Sequence, residues 1–278
     1  MASLTRVMAS IGGVDYLVHM DAPQDISIWL NFNQEQPNAF GLPQATSAPY
    51  SVGEFVASTA HGAGFNCHTV TLSPHGNGTH TECVGHIVSQ HVEVHRQVQS
   101  LMMPATVLSV HLVPFSQTSD TYNDDARPDD LVISQASLHE AFERCEADPT
   151  WCDALVIRTF PNDRGKCQAN YTNQNPAYLT REAMQWVLKR NVSHLLLDLP
   201  SVDREEDSGQ LLNHHTFWHI PQGTNAMVDE RCLGRTITEM IWVEDVIGDG
   251  QYMLSLQVPP WQEDAASSRP LLFPVTRY

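Results

Sequence analysis

The sequence predicts a single α/β domain built on a parallel or mixed sheet that helices cover. Two helix–strand units follow one another in the second half of the chain, and short β-type runs occupy the first half. No repeat or linker divides the 278 residues. An apolar content of 42% is enough to bury a substantial core. In the first sixty residues, Tyr16-Leu-Val-His and Ile26-Ser-Ile-Trp-Leu read as short strands, followed by a Gln/Asn/Pro-rich connection over about 33–50. Val70-Thr-Leu reads as a strand that leads into a histidine-rich segment, and Ala105-Thr-Val-Leu-Ser-Val reads as another. Ser134 caps a helix whose Leu138, Ala141 and Phe142 make an i, i+3, i+4 apolar face. Ala154-Leu-Val-Ile-Arg follows as a buried strand. Thr180 caps a second helix with Met184, Val187 and Leu188 on one face and Asn191 at its end. Leu195-Leu-Leu-Asp-Leu is the next buried strand. Arg235-Thr-Ile-Thr-Glu-Met-Ile-Trp-Val reads as a strand of alternating apolar residues with Glu239 among them.

Composition excludes several classes. A net charge of −17 counts against nucleic acid, which needs Lys and Arg to neutralise its phosphates. No apolar run approaches the length that spans a bilayer, so no membrane partner is expected. The N-terminus shows no basic stretch followed by an apolar one, so the expected location is the cytoplasm. Six cysteines (Cys67, Cys83, Cys145, Cys152, Cys167, Cys232) without a Cys-x-x-Cys pair predict reduced, mostly buried thiols. The sequons at Asn77, Asn170 and Asn191 carry no weight without a secretory signal.

The densest chemistry lies between Ser73 and His86, where His75, His80, Glu82 and His86 surround a Gly-Thr pair. Imidazole and carboxylate are ligands of borderline divalent metals such as zinc. His80 and Glu82 are two apart, so in an extended segment both leave one face. Gly76 and Gly78 let the backbone fold tightly between His75 and His80. Fourteen histidines occur in the chain, and a lone one is usually a surface or hydrogen-bonded residue. A cluster with a carboxylate and two glycines is different in kind and predicts a metal or catalytic site. His61, His68, His91 and His95 flank it without comparable arrangement and read as structural or solvent-facing.

Further polar residues lie where loops leave the predicted strands, the usual place for function in open α/β sheets. Arg158 either orients a substrate carboxylate or carbonyl or makes a structural salt bridge. Asp198 and Asp203 end the next strand, and Asp203 reads first as a turn residue. His214 and His215 are adjacent, so their side chains point apart and at most one faces a given site. A histidine there is suited to general acid–base work because its pKa lies near neutrality. Glu239, set among apolar residues, needs a partner, and a metal would supply one. Thr79 and the backbone amides near Gly78 either stabilise an oxyanion or shape the loop, and the structural role is the expected one. Trp29, Phe32 and Trp218 are candidates to line an aromatic pocket.

Taken together these stretches resemble the metal-dependent cyclase family, of the kynurenine formamidase and isatin hydrolase type. Ser73–His86 is similar to its His-x-Gly-Thr-His-x-Asp-x-Pro-x-His signature. The similarity extends through Ile26-Ser-Ile, Arg158-Thr, Asn175-Pro, the Asp-x-Pro-Ser-Val-Asp segment, His214 and the Thr-Glu-Met strand. The resemblance implies a mixed, barrel-like sheet flanked by helices, assembled as homodimers or homotetramers. It also implies amide hydrolysis at a centre of one or two metal ions, with Zn2+ commonest and Mn2+ used by some members. By position it implies that His75, His80 and Glu82 bind one ion and that Glu82, His86 and Glu239 bind a second, with Glu82 bridging. His214 matches the acid–base histidine. The chain departs from the pattern in four ways: an extra residue between His75 and His80, Glu82 in place of Asp, Val84 in place of Pro, and a longer insert between His214 and Glu239.

The function expected from this reading is metal-dependent hydrolysis of an amide of arylformamide or cyclic amide type acting on a small molecule. The competing expectations are a cyclase or lyase reaction on the same scaffold, and a metal-binding protein without turnover. The loop around 33–50 and the insert around 216–235 are expected to shape the pocket.

Overall fold

The computed structural model describes residues 5–146 and 148–278. An eleven-stranded sheet carries the fold. Its strands in chain order are β1 (Arg6–Ile11), β2 (Val14–His19), β3 (Gln24–Asp25), β4 (His80–Cys83), β5 (Met103–His111), β6 (Ala154–Phe160), β7 (His194–Leu197), β8 (Thr236–Glu239), β9 (Gly250–Ser255), β10 (Ala265–Ser267) and β11 (Leu271–Arg277). They lie in the order β1-β2-β11-β9-β5-β6-β7-β8-β4-β10, with β3 beside β11. The middle four, β5 to β8, run parallel, and every other neighbour pairs antiparallel. The sheet is therefore mixed, as expected. Its end strands β1 and β10 are not paired with each other, so it is open and not a closed barrel.

The predicted helix–strand units are present. Helix α1 (Gln135–Arg144) starts where the Ser134 side chain accepts the Ser137 N–H, and buries Leu138, Ala141 and Phe142. Helix α2 (Arg181–Leu188) starts where Thr180 accepts the Ala183 N–H, and buries Met184 and Val187. Asn191 adopts φ +56°, which ends the helical run. A third, short helix α3 (Leu212–Phe217) follows a left-handed Leu211. All three helices pack on one face of the sheet, against Leu155, Ile157, Leu195, Leu197 and Ile237. The other face buries Val107, Val156, Leu196, Leu254 and Leu272 with no helical residue among them. Strands buried on both faces explain the unbroken apolar runs at Ala154 and Leu195.

Two predicted strands differ. The Ile26–Leu30 run contributes only an isolated bridge, Ser27 to Ile241. It leaves the ladder because the Ile28 N–H donates to the Thr79 hydroxyl instead of a neighbouring strand. The strand at Val70 (His68–Thr71) is real but pairs with Thr46–Pro49 in a separate two-stranded sheet, outside the main one. Cys83, Cys152 and Cys232 are buried thiols, and Cys67 is exposed.

Candidate metal centre

Strand pairing assembles the site at the carboxyl edge of the parallel strands. β4 runs antiparallel to β8 with His80 opposite Glu239, Thr81 opposite Thr238 and Glu82 opposite Ile237. Side chains alternate along a strand, so His80, Glu82 and Glu239 share one face. The Thr81 and Thr238 hydroxyls hydrogen-bond each other at 2.8 Å. His75 sits on a short 3-10 turn, Pro74–Gly76, and His86 on another, Val84–His86. Gly76 is closely packed, since a Cβ there would lie 2.6 Å from Leu42 Cδ1 and 3.2 Å from the Ala39 carbonyl oxygen. Gly78 takes φ +77° as the chain turns into β4. Thr79 shapes this turn, accepting the Ile28 N–H and donating to the Met240 carbonyl.

The side chains converge on Glu82, which is 1% exposed. Its Oε2 lies 2.9 Å from His75 Nδ1 and 3.9 Å from His86 Nε2, and its Oε1 lies 2.9 Å from His214 Nε2. His80 Nε2 lies 3.5 Å from Glu239 Oε2. Among the described residues two donor sets fit a metal ion, His75–Glu82–His86 and His80–Glu82–Glu239, each with its ligand atoms within 4.8 Å of one another. Glu82 belongs to both. This partition differs from the one implied by resemblance, which joins His75 with His80 and His86 with Glu239. The reason is local: register opposes His80 to Glu239, while the His75 and His86 rings stack 4.2 Å apart.

A cation fits this chemistry on the structure's own terms. His80 is fully buried, its Nδ1 lies 3.0 Å from the Gly78 carbonyl, and its Nε2 has no hydrogen-bond partner. A buried polar atom without a partner is costly, and with the N–H on Nδ1 the free Nε2 lone pair is a ligand aimed at Glu239. The two sets also differ in depth. His80, Glu82 and Glu239 are buried, whereas the side chains of His75 and His86 are 25% and 28% exposed.

Electrostatics without an ion show how strongly the groups depend on one another. Burial opposes charge on His75, yet its hydrogen bonds to the Asp264 and Glu82 carboxylates prevail and raise its pKa to about 10. Burial likewise works against the Glu82 carboxylate, but His86 and His214 hold it well below its usual range. For His214, burial is again outweighed, by Glu82 and Asp203, and the imidazolium is favoured. A divalent cation can take the place of these protons.

His214 faces the cluster from α3, and His215 does not. His214 Nδ1 lies 2.6 Å from Asp203 Oδ2, while His215 Nδ1 lies 3.1 Å from the Ile220 carbonyl. Asp203 is not a turn residue. It also accepts the backbone N–H groups of Asn213 and His214 and the Tyr122 hydroxyl, so it holds the start of α3 and the imidazole together. Arg158 is structural: it is buried and donates to Ser109, to the Glu244 and Ile247 carbonyls and to Asp249. Asp198 accepts Lys166 Nζ at 2.8 Å and the Thr159 N–H, pinning the loop after β6. Asp264 is the contact that sequence reasoning missed, for it lies before β10 in a stretch with no motif. An open groove of about 750 Å3 is lined by Trp29, Arg164, Trp242 and Glu244 among others, and by none of the cluster residues. Ile28, in its lining, donates its N–H to the hydroxyl of Thr79, the residue before His80. Of the other aromatic candidates, Trp218 is fully buried with its ring 5.5 Å from His214, and Phe32 is half-buried.

A family model described as "Putative cyclase" matches residues 17–204. No curated protein sequence matches the chain. Among solved structures, an isatin hydrolase bound to the product analogue thioisatinate is similar with a TM-score of 0.60 at 11% identity, over 92% of each chain. Isatin hydrolase A from Labrenzia aggregata, bound to benzyl benzoate, is similar with a TM-score of 0.59 at 12% identity, over 91% of this chain and 93% of that one. A predicted metal-dependent hydrolase from Bacillus stearothermophilus has a TM-score of 0.57 at 14% identity, over 91% of this chain and 98% of that one. These likenesses share the fold.

Proposed function

This chain belongs to the Cyclase family, and on that premise we propose that it is a metal-dependent hydrolase that opens an amide bond in a small molecule, of arylformamide or cyclic amide type. The observation that carries the reading is the buried Glu82 shared by two His/Glu donor sets, with His214 at 2.9 Å on its other oxygen. Isatin hydrolases among the structural neighbours support the amide class. In this reading His80, Glu82 and Glu239 hold an inner divalent ion, Zn2+ or Mn2+, and His75, Glu82 and His86 hold an outer one. Such an ion supplies Lewis-acid polarisation of a carbonyl and acidification of water.

The protein's own part is orientation and proton transfer. With the Nδ1 proton of His214 held on Asp203 Oδ2 at 2.6 Å, Nε2 is the atom that exchanges a proton with the reacting group. It takes the proton of the attacking water and returns it to the leaving nitrogen, so water and amide become acid and amine. Trp218 packs beside this imidazole and keeps bulk water from that side. A second reading, ring formation or elimination on the same scaffold, draws on the neighbour described as a potential metal-dependent hydrolase with cyclase activity.

The test is metal analysis of protein purified without added ions, followed by turnover of formylanilines, cyclic imides and isatin-like lactams with zinc or manganese. We expect bound metal, an amine or ring-opened acid as product, and loss of turnover in His214→Ala by about 10²–10⁴-fold with the metal retained. No transition-metal binding on titration overturns the metal reading. Unchanged turnover in His214→Ala removes that residue from the chemistry, and a cyclised or eliminated product selects the second reading.

A further inference from the structure

We propose that Asp264 is the positioning carboxylate of the outer half of this centre, a single side chain that sets which nitrogen both His75 and His86 present to a metal ion. The inference rests on the metal reading above and adds to it a residue outside the predicted ligand set. Its basis is a pattern of distances. His75 has a carboxylate at each nitrogen, Glu82 Oε2 at 2.9 Å from Nδ1 and Asp264 Oδ2 at 2.8 Å from Nε2. His86 has the same two neighbours with its nitrogens exchanged, Glu82 Oε2 at 3.9 Å from Nε2 and Asp264 Oδ2 at 3.5 Å from Nδ1. In both rings one nitrogen faces the shared carboxylate Glu82, and the other faces one oxygen of Asp264.

An imidazole binds a metal through one nitrogen and donates the N–H of the other, and a carboxylate on that N–H fixes tautomer and ring orientation. Asp264 Oδ2 accepts from His75 Nε2–H and faces His86 Nδ1–H. His75 is thereby left to ligate through Nδ1 and His86 through Nε2, both toward Glu82. The backbone holds Asp264 in place for this. Its carbonyl accepts the Cys83 N–H at 3.0 Å, and the next residues pair with β4, Ala265 with Glu82 and Ser267 with His80. Gly85 leaves room for it, since a Cβ there would stand 3.0 Å from Asp264 Cβ and 2.5 Å from the Val92 carbonyl oxygen. No such carboxylate is needed by His80, whose Nδ1 already faces the Gly78 carbonyl. Asp264 therefore distinguishes the two halves: the buried half is oriented by backbone, and the exposed half by this side chain.

The test is cobalt(II) titration of metal-free wild type, Asp264→Asn and Asp264→Glu, read by visible absorption and by bound-metal stoichiometry. Imidazole 15N spectra of the zinc-loaded wild type complement it. Removing a carboxylate behind a ligating imidazole lowers metal affinity by about 10–100-fold. We expect that loss in Asp264→Asn at one of two ions, with the other unchanged and with partial recovery in Asp264→Glu. The spectra should show His75 ligating through Nδ1 and His86 through Nε2. Wild-type affinity for every ion in Asp264→Asn overturns the positioning role and leaves the metal reading standing, as does His75 ligation through Nε2. A wild type that binds no ion overturns both. Metal-free wild type and Asp264→Asn are compared by circular dichroism; if Asp264→Asn is unfolded, weakened cobalt binding at one ion in folded Asp264→Glu counts for the proposal and His75 ligation through Nε2 in the wild type overturns it.

Discussion

Replacing Asp203 with asparagine tests whether His214 is held for proton transfer or merely buried beside the site. Asp203 is 1% exposed and accepts four hydrogen bonds. Oδ1 takes the Tyr122 hydroxyl and the Asn213 N–H, each at 2.7 Å, and Oδ2 takes the His214 N–H at 3.1 Å and His214 Nδ1 at 2.6 Å. Asparagine can keep the first pair with its oxygen, but it then turns an NH2 group toward two donors on His214. Two bonds to a charged acceptor are lost, at roughly 1.5–3 kcal/mol each, which puts the destabilisation at about 3–6 kcal/mol. For a chain of this length that lowers the melting temperature by about 10 °C. The imidazole loses its fixed tautomer at the same time, so turnover should fall by about 10²–10⁴-fold while the ion content stays at the wild-type level. Thermal unfolding, metal analysis and steady-state kinetics on the same preparation separate the effects. Asp203→Asn with wild-type turnover would refute the orientation of His214 by Asp203. A loss of turnover that tracks a loss of bound metal would instead make Asp203 a support of the ligands.

Two other perturbations probe the frame of the site. Burial lowers the His194 pKa from 6.5 to about 4. The folded protein resists a proton that the unfolded chain accepts, so this contribution is complete above pH 6.5 and shrinks as pH falls toward 4. The loss is about 3 kcal/mol over that range at 1.36 kcal/mol per pKa unit. Urea unfolding of wild type against His194→Gln between pH 7 and 4.5 should show the wild type losing more stability, and parallel curves would show that His194 carries no such burden. In Gly85→Ala the new Cβ meets the Val92 carbonyl oxygen at 2.5 Å, a backbone contact that cannot swing away. A stability cost of about 1–3 kcal/mol is expected from this overpacking, together with weaker binding of the outer ion as Asp264 is displaced. Chemical denaturation and cobalt titration read the two effects, and wild-type values in both would mean that the loop around Val92 yields freely.

What was legible in the sequence, and what was not, divides along the range of the forces involved. Ser134 and Thr180 announced their helices because a cap acts over three residues, and both side chains accept the N–H expected of them. The runs at Ala154 and Leu195 announced buried strands because both faces of the central sheet are covered. His80 and Glu82 announced a shared face through strand alternation alone. Asp203 stood in view but could not be assigned, since its worth depends on His214 arriving from α3. Asp264 was invisible, because nothing within its own segment bears on His75, 189 residues away. The grouping of donors was out of reach for the same reason. It is decided by the β4–β8 register, which opposes His80 to Glu239, and by a turn that lies outside any strand. The extra residue lies among Gly76, Asn77, Gly78 and Thr79, which join that turn to β4. Free of strand alternation, His75 stands beside His86 and Asp264 at the exposed end of the cluster, while His80 stays buried. His75 on its turn and His80 on its strand thus give the two donor sets unequal depth, and the outer set is where binding should respond most to changes in loop and solvent.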